Sequence, residues 1–133
     1  MFTDYDTLQP DASRGETVPR AKFANWQPGE TWEIAFSTGT KAGGKIGLSE
    51  AGGQPTQHHA DLYELSPDGD VLVASADGMS IGWMVNIDPR LRRRGDIVLK
   101  PNTRYKIVAT TQLPTSAFCD VLLRDAPKRR PER

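Results

Sequence analysis

Cysteine is almost missing from this sequence, which holds one, Cys119, among 133 residues. A lone cysteine excludes an internal disulfide, so the fold has to be stabilised by an apolar core. No run approaches the roughly 18 consecutive apolar residues that a membrane helix needs. The first residues are acidic and lack the charged start and apolar core of a signal peptide. These absences predict a protein made in the cytoplasm, without membrane contact, and carried in a virion if it is viral.

The sequence also lacks the motifs of the common catalytic and cofactor sites. No Gly-x-Ser-x-Gly turn, phosphate loop or dinucleotide fingerprint occurs. His58 and His59 stand close to Asp61, but adjacent strand residues point to opposite faces, so we expect a solvated pair rather than a zinc site. The segment Asp68-Gly69-Asp70 lacks the spaced oxygen ligands of a calcium loop, and turn chemistry explains it. We therefore predict a protein that is not an enzyme, with no catalytic residue, metal or cofactor.

Short strand patterns separated by turn signals make up most of the chain. Two apolar runs flank the segment 66–70, in which Pro67 suits the first inner position of a turn and Gly69 tolerates the positive φ that closes it. About eight strand patterns follow one another at intervals of roughly ten residues, without an amphipathic helix of useful length. This pattern predicts an all-β fold, an antiparallel β-sandwich of the jelly-roll or immunoglobulin-like kind.

Alternation at period two assigns residues to the core of this sandwich. Every second residue from 81 to 87, Trp83 among them, lies on one face of the predicted strand. Trp83 is the predicted main anchor of the core. Tyr105, Ile107 and Trp32 are assigned to the same core by the same alternation. Cys119 lies in an apolar final strand, where a buried and reduced thiol is expected.

A glycine-rich stretch precedes the histidines and supports an alternative function. Residues 38–53 hold six glycines, which predicts a loose segment with only a short strand at residues 45–48. Long loops on a compact sandwich often carry binding sites. Trp26, next to a turn, could cover the edge of the sandwich, or it could be exposed and offer a platform for a sugar ring together with the loop at residues 38–57. The alternative hypothesis is therefore a carbohydrate-binding module with Trp26 as its sugar-binding residue.

The two ends of the chain differ in composition from its middle. Residues 1–17 are polar and lack periodicity, so we expect an extended N-terminal arm, followed by a domain at 18–125 and a basic tail at 126–133. A neighbouring molecule is the preferred surface for the arm, with the chain's own domain as the second choice. Three apolar residues spaced three apart are the expected anchors of the arm: Phe2, Tyr5 and Leu8.

Charge is balanced overall but not along the chain. Residues 1–88 carry 13 acidic and 5 basic side chains, and residues 89–133 carry 4 acidic and 12 basic ones. If early and late strands interleave, these charges cancel in space. The densest basic cluster is a loop with four arginines within five residues: Arg90, Arg92, Arg93 and Arg94.

Four neighbouring guanidinium groups repel one another unless they are solvated or face anions. Carboxylates of an acidic protein patch or of an anionic glycan suit the bidentate geometry of arginine. Nucleic acid is disfavoured as a partner, because the cluster has no interleaved aromatic residues for base stacking. The arginine-rich loop is thus a predicted partner-binding element, with a merely solvated loop as the open alternative.

The general pattern, a sandwich with polar ends and no catalytic constellation, is similar to accessory proteins of virus and phage particles. It is also similar to small carbohydrate-binding modules. The leading hypothesis is a structural protein that docks, in oligomeric form, into a larger assembly. A phage or viral particle, with the protein as decoration, spike or connector component, is the most concrete setting.

Overall fold

The computed structural model describes residues 20–53 and 55–125. The predicted arm with Phe2, Tyr5 and Leu8, and the predicted basic tail, lie outside these residues. The described chain forms nine strands and one 3₁₀ turn, Pro89–Leu91. The strands are β1 Arg20–Trp26, β2 Trp32–Ser37, β3 Gly43–Gly53, β4 His58–Glu64, β5 Val71–Gly78, β6 Ile81–Asn86, β7 Ile97–Val98, β8 Arg104–Thr111 and β9 Thr115–Arg124.

The strands form two sheets, which confirms the predicted all-β sandwich. The five-stranded sheet has the order β1-β9-β3-β6-β7, and the four-stranded sheet has the order β2-β8-β4-β5. Four antiparallel pairs are nested within one another along the chain: β1 with β9, β2 with β8, β3 with β6, and β4 with β5. This nesting is the double-sheet arrangement of a jelly roll. The short β7 adds a parallel edge next to β6.

The β4–β5 hairpin forms where the turn residues predict it. The amide of Gly69 donates to the carbonyl of Ser66 at 3.0 Å, which places Pro67 at the first inner position of the turn. Gly69 has φ of 122°, a conformation that L side chains rarely adopt. β5 ends at Gly78, and Met79 and Ser80 carry the chain to β6 in the other sheet.

The core lies between the two sheets and contains the inward residues that alternation predicted. Tyr105 and Ile107 are buried, and Trp32 and Trp83 are partly buried against the same cluster. The prediction that Trp83 anchors the core is wrong in one respect, because Trp26 is the largest fully buried side chain, with 0% exposure. Trp83 lies on β6, next to the short β7 edge of its sheet, where the opposite sheet covers it only in part.

The predicted loose segment at 38–53 is wrong, because most of it is the central strand β3. This strand pairs with β6 on one side and with β9 on the other. A Cβ on Gly47 would stand 2.2 Å from the carbonyl oxygen of Ile81. Glycine is therefore required at position 47 because a neighbouring backbone comes close, and not because the chain needs conformational freedom there.

Early and late strands interleave, and some of the uneven charge is neutralised in this way. Lys106 contacts Asp70 at 2.9 Å and Glu33 at 3.8 Å, and Lys100 contacts Glu64 at 3.2 Å. Each of these pairs joins a base of the second half of the chain to an acid of the first half. Among the residues that the structure describes, no helix is long and apolar enough to span a membrane.

Candidate functional site

The outer face of the five-stranded sheet carries a shallow groove along its central strand. Strand register sets the side chains of this face in rows. One row holds Met84, Lys45 and Leu122, on β6, β3 and β9 respectively. The next row holds Gly82, Gly47 and Asp120. Because the two glycines have no side chains, the surface is low between neighbours that rise from the sheet.

The groove is continuous from the middle of β3 to the arginine-rich loop. Its first part has a cavity volume of about 160 Å³ and is lined by residues that include Lys45, Gly47, Gly82, Asp120 and Leu122. Lys45, Leu122 and Met84 also line the part that follows.

The last part of the groove reaches the arginine-rich loop and widens there. Met84 and Arg124 line both this part and the one before it, and Arg93 and Asp96 complete its wall. Along β3, the groove runs from Ser49 to Gly43, which is about 20 Å at about 3.3 Å per residue.

Exposed apolar side chains lie beside charged groups on the surface of this groove, which is lined by three cations and three carboxylates: Lys45, Arg93, Arg124, Asp96, Asp120 and Asp125. Met84 is 55% exposed and Val98, on the adjacent β7, is 47% exposed, which is high for apolar side chains in strands. The Lys45 side chain lies over Gly82, since a Cβ there would stand 2.9 Å from Lys45 Cε. The Lys45 ammonium group makes no hydrogen bond or ion pair with the described residues. The groove thus presents an unpaired ammonium group beside exposed apolar surface.

The arginine-rich loop contains one paired and three unpaired guanidinium groups. Arg90 donates to both carboxylate oxygens of Asp88, at 3.0 and 2.8 Å. This pairing lowers the pKa of Asp88 and raises that of Arg90. The side chains of Arg92, Arg93 and Arg94 are exposed and form no ion pair or hydrogen bond with the described residues.

The loop backbone is held in place by its own residues. The Asp88 carboxylate accepts from the backbone amide of Arg90 at 3.0 Å and begins the 3₁₀ turn. The Asp96 carboxylate accepts from the backbone amide of Arg93 at 3.0 Å. Gly95 has φ of 90° and allows the chain to turn into β7. The three unpaired guanidinium groups therefore stand on an ordered backbone beside the groove.

Trp26 does not form a surface platform, and the expectation that it is exposed is wrong, because its side chain has 0% exposure. Its Nε1 donates to the carbonyl of Glu30 at 3.0 Å, and its ring stacks on that of His58 with centroids 5.1 Å apart. Phe23 meets the Trp26 ring edge-on at 5.3 Å. The turn between β1 and β2 folds the indole inward, and the ring fills one end of the core.

The predicted solvated histidine pair is wrong for His58, which is 1% exposed. Its Nε2 donates to Glu50 at 2.8 Å, and the same carboxylate accepts from the hydroxyl of Thr115 at 2.9 Å. His58 belongs to the four-stranded sheet, whereas Glu50 and Thr115 belong to the five-stranded one. This buried network joins the two sheets and is closed to a substrate at the imidazole.

His59 points to the opposite face, as predicted for an adjacent strand residue. Its Nδ1 lies 2.8 Å from Asp77, and its Nε2 lies 2.9 Å from Asp61. The hydrogen bond that His59 donates to the Asp77 carboxylate is the main cause of a raised His59 pKa, with further attraction from Asp61. Both ring nitrogens are engaged by carboxylates, so the imidazole is a structural cation rather than a base directed at a nucleophile.

Cys119 is free and buried, as predicted. Burial in the core raises its thiol pKa far above the ordinary range. In residues 20–53 and 55–125, no group of three or more histidine, cysteine, aspartate or glutamate side chains is placed to hold a metal ion.

Sequence reasoning found the arginine-rich loop but missed the groove beside it. The signal was present in the alternation of Lys45, Gly47 and Ser49 with Ile46 and Leu48, which is a strand pattern with small outward residues. Six glycines in sixteen residues concealed that pattern.

Comparisons with known proteins leave the site to be interpreted on its own geometry. No protein-family model matches the chain, and no curated protein is found to be similar in sequence.

Proposed function

We propose that this protein is a docking component of a larger assembly and not an enzyme. Its groove and arginine-rich loop would bind an extended, acidic segment of a partner protein. The observation that carries this proposal is the Arg93 guanidinium group at the open end of a groove that holds Lys45, both without a partner among the described residues, with Arg92 and Arg94 beside Arg93 in the same loop.

Charge explains why the partner should be acidic. Three adjacent cations on one ordered loop repel each other, and the repulsion is relieved when carboxylates come within hydrogen-bond distance. Each guanidinium can hold a carboxylate through two hydrogen bonds, a geometry that Lys cannot match. Asp88 and Asp96 already contact this loop, at Arg90 and at the Arg93 amide, and they leave the three guanidinium groups without a carboxylate.

The shape of the groove explains why the partner should be extended. A depression about 20 Å long holds about six residues of an extended strand. Met84 and Leu122 stand on either side of Lys45, so an apolar side chain of the partner would have contacts next to an acidic one. Burying one such apolar side chain contributes about 1.5–3 kcal/mol before the cost of ordering the segment.

For the setting, we propose a phage or viral particle, with the protein as a decoration, spike or connector component. Support comes from the polar composition of residues 1–17 and 126–133 and from the jelly-roll arrangement, which viral capsid and lectin domains also use. This part of the proposal is an analogy at the level of fold. The alternative hypothesis, a carbohydrate-binding module, loses its proposed sugar-binding residue, because Trp26 is buried.

The experiment is a mass measurement on the full chain purified from its natural source under native conditions. Native mass spectrometry should find the 14.7 kDa chain in a complex with at least one further polypeptide. The variant Arg93→Glu should lose that complex, because a carboxylate replaces a cation at the open end of the groove. A chain found only as a free monomer would contradict the proposal.

A matched control separates the site from general charge effects. Arg104 is an exposed arginine of β8, in the four-stranded sheet. Arg104→Glu changes net charge by the same amount as Arg93→Glu but leaves the groove unchanged. It should keep the complex. Loss of the complex in both variants would show that net charge, and not the groove, holds the partner.

Binding of sulfated or uronic glycans that is lost only in Arg93→Glu would identify a glycan partner and overturn the protein-docking proposal.

A further inference from the structure

We propose that the groove also binds the acidic N-terminal segment of its own chain, residues 1–17, which then competes with the partner. This inference rests on the proposed function, because it concerns regulation of the same groove. It is drawn from three observations: the charge of the segment, the place where the described chain begins, and the length of chain available.

Charge complementarity is the first observation. Residues 1–17 carry Asp4, Asp6, Asp11 and Glu16 against the single base Arg14, a side-chain charge of −3. The loop offers three unpaired guanidinium groups, at residues 92–94. The apolar residues of the segment are Phe2, Tyr5 and Leu8. They are interleaved with its acidic ones, and the groove sets Met84 and Leu122 on either side of the Lys45 ammonium group.

The second observation is where the described chain begins. In the antiparallel pair of β1 and β9, Arg20 stands opposite Asp120 and Ala21 opposite Cys119. Residues that precede Arg20 therefore approach from the end of the sheet where β9 finishes, at Arg124. Arg124 lines the groove together with Arg93. The N-terminal segment thus joins the domain at the same end of the sandwich as the arginine-rich loop.

The third observation is that the chain before Arg20 is long enough to reach the groove. Between β1 and β7 lie four strand spacings, which is about 19 Å at 4.7–4.9 Å per spacing. The 19 residues before Arg20 can extend to about 60 Å. A tethered segment that can reach its site has an effective concentration on the order of millimolar. At ordinary protein concentrations, the segment of the same chain is therefore favoured over that of a second copy.

The test is site-specific photo-cross-linking in the full chain. The photoreactive residue p-benzoylphenylalanine replaces Met84, which is exposed at the groove, and the irradiated protein is digested and mapped by mass spectrometry. We expect cross-links to residues 1–17 within a single chain, with a yield that does not change on dilution. Neutralising the segment with Asp4→Asn, Asp6→Asn and Asp11→Asn should lower the yield, and so should high salt, which shortens the screening length to roughly 3 Å at 1 M.

A matched control uses the opposite sheet. Leu72, on β5, is 53% exposed, close to the 55% of Met84, and it is remote from the arginine-rich loop. The same photoreactive residue at position 72 should give no cross-link to residues 1–17. If the Met84 replacement fails to fold, Val98 offers a second position beside the groove, with 47% exposure.

Each remaining outcome decides against the inference. Cross-links that join two chains and disappear on dilution would identify a second copy as the occupant. Cross-links from position 84 to the basic residues 126–133, or none to residues 1–17, would show that the acidic segment lies elsewhere. Neither result touches the proposed function, which fails separately if native mass spectrometry finds no partner or if Arg93→Glu keeps it.

Discussion

The outer faces of the two sheets differ in how some of their cations are paired. On the four-stranded sheet, Lys106 contacts Asp70 and Glu33, and His59 contacts Asp61 and Asp77. On the five-stranded sheet, Arg20 contacts Asp120, but Lys45 lies in a groove without a carboxylate partner among the described residues, and the adjacent loop adds further unpaired cations. The first face pairs Lys106 and His59 with its own carboxylates, whereas the second leaves the positive charge of Lys45 for something outside the described residues.

The difference shows why net charge is a poor guide to binding in this protein. The whole chain has a net charge of zero, yet some of its cations contact carboxylates and others, such as Lys45, have none among the described residues. Surface ion pairs contribute little to stability, so the ion pairs of the four-stranded sheet contribute little to the stability of the fold. Their main effect is that Lys106 and His59 have carboxylate partners within the domain, whereas Lys45 remains available to a partner.

The largest expected effect concerns the glycines of the groove floor, which stand opposite each other on β3 and β6. Gly47→Ala should lower the free energy of unfolding by about 1–3 kcal/mol, the usual cost of overpacking, because its Cβ would stand 2.2 Å from a backbone oxygen. Gly82→Ala meets only the flexible end of Lys45 and should change stability little. Urea denaturation of both variants checks this. Equal losses of stability in the two variants would show that the close approach of the neighbouring backbone is not what requires glycine in the floor of the groove.

A smaller effect distinguishes paired from unpaired cations. Lys106→Met removes a cation that contacts two carboxylates, and should lower stability by about 0.2–1 kcal/mol. Arg93→Met removes an unpaired cation and should stay within about 0.5 kcal/mol of the parent. Thermal unfolding at low and high salt measures both, and the difference should shrink as salt screens the Lys106 contacts. A larger loss in Arg93→Met would reveal a stabilising partner for Arg93 and remove the basis of the comparison.

Much of the fold could be predicted from the sequence because its signals are local. Pro67 and Gly69 define the β4–β5 turn through their own backbone preferences. Alternation placed Tyr105 and Ile107 in the core, because the two-residue period of a strand leaves only two faces. The burial of Cys119 follows from the same argument.

The errors have a common physical cause, which is that the deciding contacts are distant in sequence. Trp26 is buried because its ring stacks on His58, a residue 32 positions later, and no local pattern reports that contact. Glycines in β3 are required by the backbone of β6, whereas local composition favours a loop. The arginine-rich loop was identified by composition alone, but its position beside a groove depends on strand order.

The smallest expected effect is a pH dependence from His59 on the four-stranded sheet. Its pKa is raised above the ordinary value of about 6.5, mainly by the hydrogen bond with Asp77 and further by Asp61. A group with a raised folded-state pKa stabilises the fold fully below its unfolded-state value, and the contribution is lost as pH rises through the folded-state pKa. The half-exposed side chain limits the effect to less than about 1 kcal/mol.

The variant His59→Gln isolates this contribution, because every other titratable group is the same in both proteins. The parent should exceed the variant in free energy of unfolding at about pH 6, below the ordinary pKa of histidine, where the imidazole is charged. The difference should decrease as pH rises through the raised folded-state pKa of His59. Urea denaturation at a series of pH values measures it. A difference that grows with pH would mean that the carboxylates do not hold a charged imidazole, and the four-stranded sheet could then no longer be described as the face that pairs His59 with its own carboxylates.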